Sequence, residues 1–307
     1  MLHPLADRLA DQSGVGRREQ LYSAGLTEAE VRAEIDGRRW HAVNDVVVVT
    51  HNGPLTQEQQ QWAVVLSCRE PVGLGGLTAI ANHGVKGFDT DTVHVVVTKG
   101  ARPLDVPGVA IHVHESRRFT SDDLIQRLPP MTSLERSTID AAVWSKDIRT
   151  AFRICVAPVQ QRLTTATRLR RELLAAGAVH FRRPLLLFLA DLEGGAEALS
   201  EVVFLRWCRR HRLPKPETSV RYDRNGRRRY LDATFRLPDG SALFVEIDGG
   251  IHLLLMVRWE DTIKDNDAVL ANRKTLRFAS AAIYADDPRA LRQLREALGM
   301  LSEPHVA

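Results

Sequence analysis

The chain is poor in cysteine and has no long apolar run, and each shortage removes a class of protein. Three cysteines in 307 residues, Cys68, Cys155 and Cys208, stand too far apart for a disulfide framework or a cysteine-ligated zinc site. Their scarcity fits a reducing compartment. No apolar stretch approaches the ~20 residues a membrane helix needs. Leu185 to Ala190 and Ile251 to Val257 read as short buried segments. The N-terminus lacks the charged-then-apolar pattern of a secretion signal, so the expected location is the cytoplasm, away from membranes. There is no internal repeat and no low-complexity segment. With 44% hydrophobic and 26% charged residues, the composition is that of an ordinary globular protein long enough for two domains or three small ones.

The net charge of +4 is modest, but the charge is unevenly spread. Ten Lys or Arg (206, 209, 210, 212, 215, 221, 224, 227, 228, 229) stand between Arg206 and Arg229 against two acids, Glu217 and Asp223. Such a block attracts a polyanion, and DNA is the expected partner. The competing reading is a solvated arginine-rich surface.

Directly after this block comes Tyr230-Leu231-Asp232, and then Glu246-Ile247-Asp248-Gly249. Each carboxylate lies on a short apolar run that reads as a strand, Tyr230 to Arg236 and Ala242 to Ile247. Side chains alternate along a strand, so Glu246 and Asp248 share a face. The connector Leu237-Pro238-Asp239-Gly240-Ser241 carries a turn signal, and a hairpin there brings Asp232 beside that pair. Three converging carboxylates repel one another unless a cation lies between them. Hard oxygen ligands suit Mg²⁺ or Mn²⁺, the ions of phosphodiester hydrolysis. The alternative is a set of solvated acids closing two strands.

The remaining pattern gives an α/β (α+β) protein in three parts. Residues 1–52 read as three helices (Pro4 to Asp11, Arg17 to Ala24, and one capped by Thr27 with Glu30 in the capping box) followed by a strand pair in Trp40 to Thr50. This is the layout of a winged helix-turn-helix. The third helix carries Glu28, Glu30, Glu34 and Asp36 against Arg32, so it is poorly suited to reading bases. Arg17, Arg18, Arg38 and Arg39 flank it as candidate phosphate contacts. Residues 53–190 read as an α/β middle domain: helices Thr56 to Cys68, Leu77 to His83 and Leu134 to Trp144, and strands Val93 to Thr98 and Val109 to His114 linked by a turn over 100–107. His112 and His114 share a strand face with no third ligand in view, so they read, like His83 and His94, as surface or core histidines. A Gly-, Glu- and Ala-rich run, Asp191 to Ala198, marks the next boundary. Residues 191–307 then run helix (Leu199 to His211, with Val202, Val203, Leu205 and Trp207 as its apolar side), two strands, helix (Trp259 to Leu270), strand (Thr275 to Ala279) and helix (Pro288 to Leu298): a mixed sheet flanked by helices.

Two resemblances follow from these residues. Gly37-Arg38-Arg39-Trp40 after the third helix, and Pro129-Pro130-Met131-Thr132-Ser133 ahead of a helix, resemble the AbiEi-type antitoxin family. From Asp191 to Leu298 the chain resembles the PD-(D/E)xK nuclease superfamily and, more narrowly, a bacterial family related to very-short-patch repair endonucleases. The match rests on Ser200-Glu201, Leu213-Pro214-x-Pro216, Gly226-Arg227-Arg228-Arg229-Tyr230-Leu231-Asp232, Val245-Glu246-Ile247-Asp248-Gly249 with His252, Trp259-x-Asp261 and Leu276-Arg277-Phe278. The resemblance implies a restriction-endonuclease-like fold with Asp232 and Glu246 as metal ligands. Asp248 stands where many members carry the Lys that orients the attacking water. It further implies His252 as general acid/base, Glu201 as an additional acid and Lys264 as a replacement cation. Asp265 in place of a usual Gln and the apolar run Leu253 to Met256 depart from the pattern. The expected activity is Mg²⁺- or Mn²⁺-dependent DNA cleavage in repair or defence against foreign DNA. The alternative is a DNA-binding regulator or antitoxin whose nuclease fold is inactive, and a third reading is a partner-binding protein in which both modules mediate assembly.

Overall fold

The computed structural model describes residues 3–117, 119–193, 199–222, 228–248 and 275–300, with residues 3, 4, 199–202, 218–222, 228–232 and 248 described by backbone alone. The chain mixes helices and sheets, as its sequence pattern predicts, and divides into two compact units, Met1–Ala141 and Ala142–Ala307.

In the first unit, helix His3–Asp11 is followed by strand Val15–Arg17, then helices Arg18–Ser23 and Glu28–Asp36, then strands His41–Ala42 and Val47–Val49. Thr27 caps its helix as expected: its Oγ1 accepts from the Glu30 N–H at 3.2 Å, and the Glu30 carboxylate accepts from the Thr27 N–H at 2.7 Å. Val47–Val49 forms the centre of a three-stranded antiparallel sheet between Val15–Arg17 and His41–Ala42. The strand is an unbroken valine run because both of its faces are covered. Val48 packs with Leu5, Leu21 and Val31, whereas Val47 and Val49 join the larger core around Trp62.

That larger core lies under a five-stranded sheet, in spatial order Ala110–Ser116, Thr92–Thr98, Val72–Leu74, Met131–Thr132, Leu124–Ile125. Val93, Val95 and Val97 enter the core against helix Gln57–Leu66, so the even-numbered positions of their strand occupy the other face. Thr92–Thr98 and Ala110–Ser116 pair in parallel, because the chain over 99–109 is long enough to carry the second strand back to its starting end. Strand Val72–Leu74, inside what reads as a loop, is the antiparallel neighbour of Thr92–Thr98 on its other side.

In the second unit, helices Ile148–Gln160, Ala166–Ala175 and Arg182–Leu192 pack with the C-terminal elements. Phe152 and Phe188 stack at 4.2 Å, and buried Asp191 accepts a 2.6 Å hydrogen bond from Ser280 Oγ. Both contacts lie within the second of the two compact units, which begins at Ala142. Four strands follow, Glu217–Tyr222, Arg228–Arg236, Ala242–Asp248 and Thr275–Ala279, of which the first was not legible in the sequence. Helix Leu199–Arg210 buries Phe204, Trp207 and Cys208. Its apolar stripe is thus centred on the 204/207/208 spacing and includes neither Leu205 nor Val203, which are only half-buried. Phe204 meets Phe235 edge-on, placing this helix on the sheet face that carries Phe235. The expected helix Trp259 to Leu270 lies outside the described residues.

Two measurements check this packing. Phe235→Ala should lower unfolding stability by about 3–5 kcal/mol, whereas Phe244→Ala, on the opposite face and half exposed, should cost less than about 1 kcal/mol. The reverse ranking in urea unfolding would refute the face assignment. Asp287 caps helix Pro288–Ala297 and is ion-paired with Arg149 at 3.1 Å and Arg289 at 3.2 Å. Burial alone would raise its pKa, but the hydrogen bonds from Arg289, helped by Arg149, outweigh burial and lower it. A carboxyl with a lowered folded pKa stabilises fully above its unfolded value of about 3.9 and loses that contribution as pH falls through the folded one. Asp287→Asn is therefore expected to cost about 1–3 kcal/mol at neutral pH, with the gap to wild type closing in acid.

Candidate active site on the C-terminal sheet

The hairpin that sets this site is closed by its turn. Leu237 N–H donates to Ser241 O at 2.9 Å and Gly240 N–H to Leu237 O at 3.0 Å, while Asp239 Oδ1 accepts from the Ser241 N–H at 2.8 Å. Gly240 takes a φ of +79°, which a side chain would disfavour. From this turn the register runs back along both strands and puts Asp232 opposite Glu246 and Tyr230 opposite Asp248. On its other side, Ala242–Asp248 pairs in parallel with Thr275–Ala279, with Glu246 opposite Arg277.

Alternation then sorts the sheet into two faces. Ala233, Phe235, Leu243, Val245, Ile247, Leu276 and Phe278 are buried on one. Positions 232, 234, 244, 246, 248 and 277 fall on the other, where Phe244 is 50% exposed. Asp232, Glu246 and Asp248 thus hold neighbouring positions on one face of the two central strands. Of the three, Glu246 has a described side chain, and it already has a counter-ion: Arg277 Nη2 lies 2.6 Å and Nε 2.8 Å from its Oε2. The two side chains are 31% and 59% exposed, so the pair contributes only about 0–1 kcal/mol. Arg277 is a functional candidate that sequence reasoning missed. It stood in a quoted motif, but only the parallel pairing, invisible to local pattern, aims it at Glu246.

The other expected residues separate. Glu201 lies on helix Leu199–Arg210, on the opposite side of the sheet from the acidic positions. Arg206, Arg209 and Arg210 are exposed on that same helix, and Arg210 pairs with Asp286 at 3.1 Å. Their helix packs on the face of the sheet opposite the carboxylate positions. Arg228 and Arg229 lie in the strand of Asp232, where a register shift between Arg228 and Tyr230 interrupts the alternation. Arg227, His252 and Lys264 lie outside the described residues.

At the N-terminal end the basic cluster is dispersed as well. Arg17 donates to the carbonyl oxygens of Leu66 and Cys68, which makes it a structural tie. Arg39 is held by Glu34 at 2.6 Å, and Arg32 by Glu28 at 2.8 Å. Arg38 is exposed, with a left-handed φ of +53°. Arg18 lines a cleft of about 750 Å³ together with Arg17, Arg32 and Arg69, but also with Glu19, Glu28 and Asp45. Opposite charges are mixed there, unlike the single-sign surface that DNA requires.

Arg17→Ala is expected to destabilise the first unit by about 1.5–3 kcal/mol, since it removes charge-assisted bonds to two carbonyls. Arg38→Ala should change stability by less than about 0.5 kcal/mol. Thermal unfolding of both variants separates a tie from a surface residue, and equal effects would contradict the assignment.

No family model matches the chain, and no curated protein matches it in sequence.

Proposed function

We propose that the C-terminal sheet is the catalytic platform of a metal-dependent DNA endonuclease. The observation that carries this reading is the register of Asp232 against Glu246, with Asp248 on the same face. Carboxylate oxygens are the donors that Mg²⁺ and Mn²⁺ take, and a part-exposed Glu246–Arg277 pair can exchange partners, so the donor set fits such an ion. Asp232, Glu246 and Asp248 would hold it. When bound, it would supply a Lewis acid for the phosphate and a more acidic water. Arg277 would then stand beside the phosphate as a fixed cation, the role for which Asp248 leaves no lysine at its own position. His252 and Lys264 remain the proposed proton-transfer group and second cation. The resemblance to PD-(D/E)xK nucleases described for residues 191–298 points the same way, toward DNA repair or defence.

A second reading is a non-catalytic DNA-binding regulator of the antitoxin kind. Two observations favour it. Arg277 neutralises Glu246 without any metal, and the helix and strand order of residues 3–49 has the sequence of elements of a winged helix. The paired charges of helix Glu28–Asp36 count against base reading by that helix.

The discriminating experiment incubates linear, nicked, mismatched and single-stranded DNA with the full chain and Mg²⁺ or Mn²⁺. The nuclease reading expects metal-dependent cleavage that falls by about a thousandfold or more in both Asp232→Ala and Glu246→Ala, comparable to the loss of a main electrostatic contribution. Tight DNA binding without cleavage of any form selects the regulator, and cleavage that persists in both variants removes this site.

A further inference from the structure

The five-stranded sheet of the first unit carries a second group of metal-binding side chains, chemically unlike the carboxylates. His94 lies on Thr92–Thr98, and His112 and His114 lie on Ala110–Ser116. The parallel register sets His94 opposite His112 and Val96 opposite His114, so the three imidazoles share the face turned away from Val93, Val95 and Val97. One donor nitrogen from each ring can be chosen so that all three lie within 4.8 Å of one another. His94 Nδ1 is 3.1 Å from His114 Nε2, a contact that needs one N–H and one bare nitrogen and therefore a neutral accepting ring. The rings are nearly parallel, with centroids 4.3 Å apart for His112 and His114 and 5.2 Å for His94 and His112. His94 and His114 are half-buried, and His112 is exposed at the sheet edge.

A structural explanation for three stacked histidines on one face is weak. A valine or threonine at each position would pack a sheet at least as well, without the cost of desolvating polar rings. Neutral imidazole nitrogens are soft enough for Zn²⁺, Co²⁺, Ni²⁺ or Cu²⁺ and are poor ligands for Mg²⁺. A tetrahedral ion with bonds of about 2.0–2.1 Å needs donors about 3.3 Å apart. The widest spacing here must therefore close by up to about 1.5 Å. Exposed His112 must leave its stack on His114 by turning at χ1 and χ2, and the near-parallel rings of His94 and His114 must turn with it so that the three nitrogen lone pairs converge.

We propose that His94, His112 and His114 bind one divalent transition-metal ion, zinc foremost, with a fourth position open to water on the His112 side. The site is independent of Asp232, Glu246 and Asp248, and it takes a different class of ion. His112 and His114 thus have the third ligand that their strand lacked in sequence. It stands eighteen residues before His112, on a neighbour whose parallel direction no local pattern reveals.

The test uses the full, untagged chain stripped with chelator. Co²⁺ is titrated in while the visible absorption that reports tetrahedral nitrogen coordination is followed, and Zn²⁺ is then added in competition. Saturation at one ion per chain is expected, with Zn²⁺ displacing Co²⁺ and raising the thermal midpoint of the first unit. His112→Gln, at an exposed position, should keep the fold and weaken binding by about a hundredfold or more. His94→Gln should do the same wherever its melting curve shows it folded, and Asp232→Ala should leave binding unchanged. The proposal is overturned if the intact chain shows no saturable binding, or if His112→Gln binds as the wild type does.

Discussion

The antiparallel register between Arg228–Arg236 and Ala242–Asp248 is the constraint on which the placement of the acids in the second unit depends. A slip of one residue would send Asp232 to the face that Phe235 and Val245 fill and expose the core to water. The turn at Leu237–Ser241 fixes that register from one end, and burial of the apolar face enforces it along the length. Placement of the acids is thus a by-product of hydrophobic burial: the same alternation that puts Phe235 under Phe204 collects Asp232, Glu246 and Asp248 on the reverse side. The parallel strand Thr275–Ala279 extends the rule by one position and adds Arg277.

The first unit follows the same logic with different side chains. Val93, Val95 and Val97 bury one face of a strand, and the reverse face receives His94 beside His112 and His114. In both units, residues distant in sequence become neighbours through a pairing direction, while burial decides which face they occupy.

Much of this was legible in the sequence, and the limits have physical causes. The hairpin and its register could be read because Pro238-Asp239-Gly240 makes a local turn and the flanking strands alternate. The capping box at Thr27 and Glu30 could be read because a helix start involves only four consecutive residues. Parallel pairing could not, since it joins strands with no local turn between them, and so Arg277 and His94 escaped notice as partners. Strand Glu217–Tyr222 was obscured by the basic residues around it. Composition likewise does not report that Asp191 is buried against Ser280, eighty-nine residues away. Linear clustering does not set spatial placement: Arg206, Arg209 and Arg210 precede the acids closely in sequence, but their helix covers the opposite sheet face. Arg17 spends its guanidinium on backbone carbonyls.

Two sheet faces thus gather groups of different chemistry, carboxylate positions on one and imidazole nitrogens on the other. The most direct test of the proposed acidic metal site is electron paramagnetic resonance of Mn²⁺ added to the full chain. Bound Mn²⁺ is expected in the wild type and in His112→Gln, and its signal should be lost in Asp232→Asn. Failure of the wild type to bind Mn²⁺, or binding that survives Asp232→Asn, would contradict the assignment of the acidic face as a metal site.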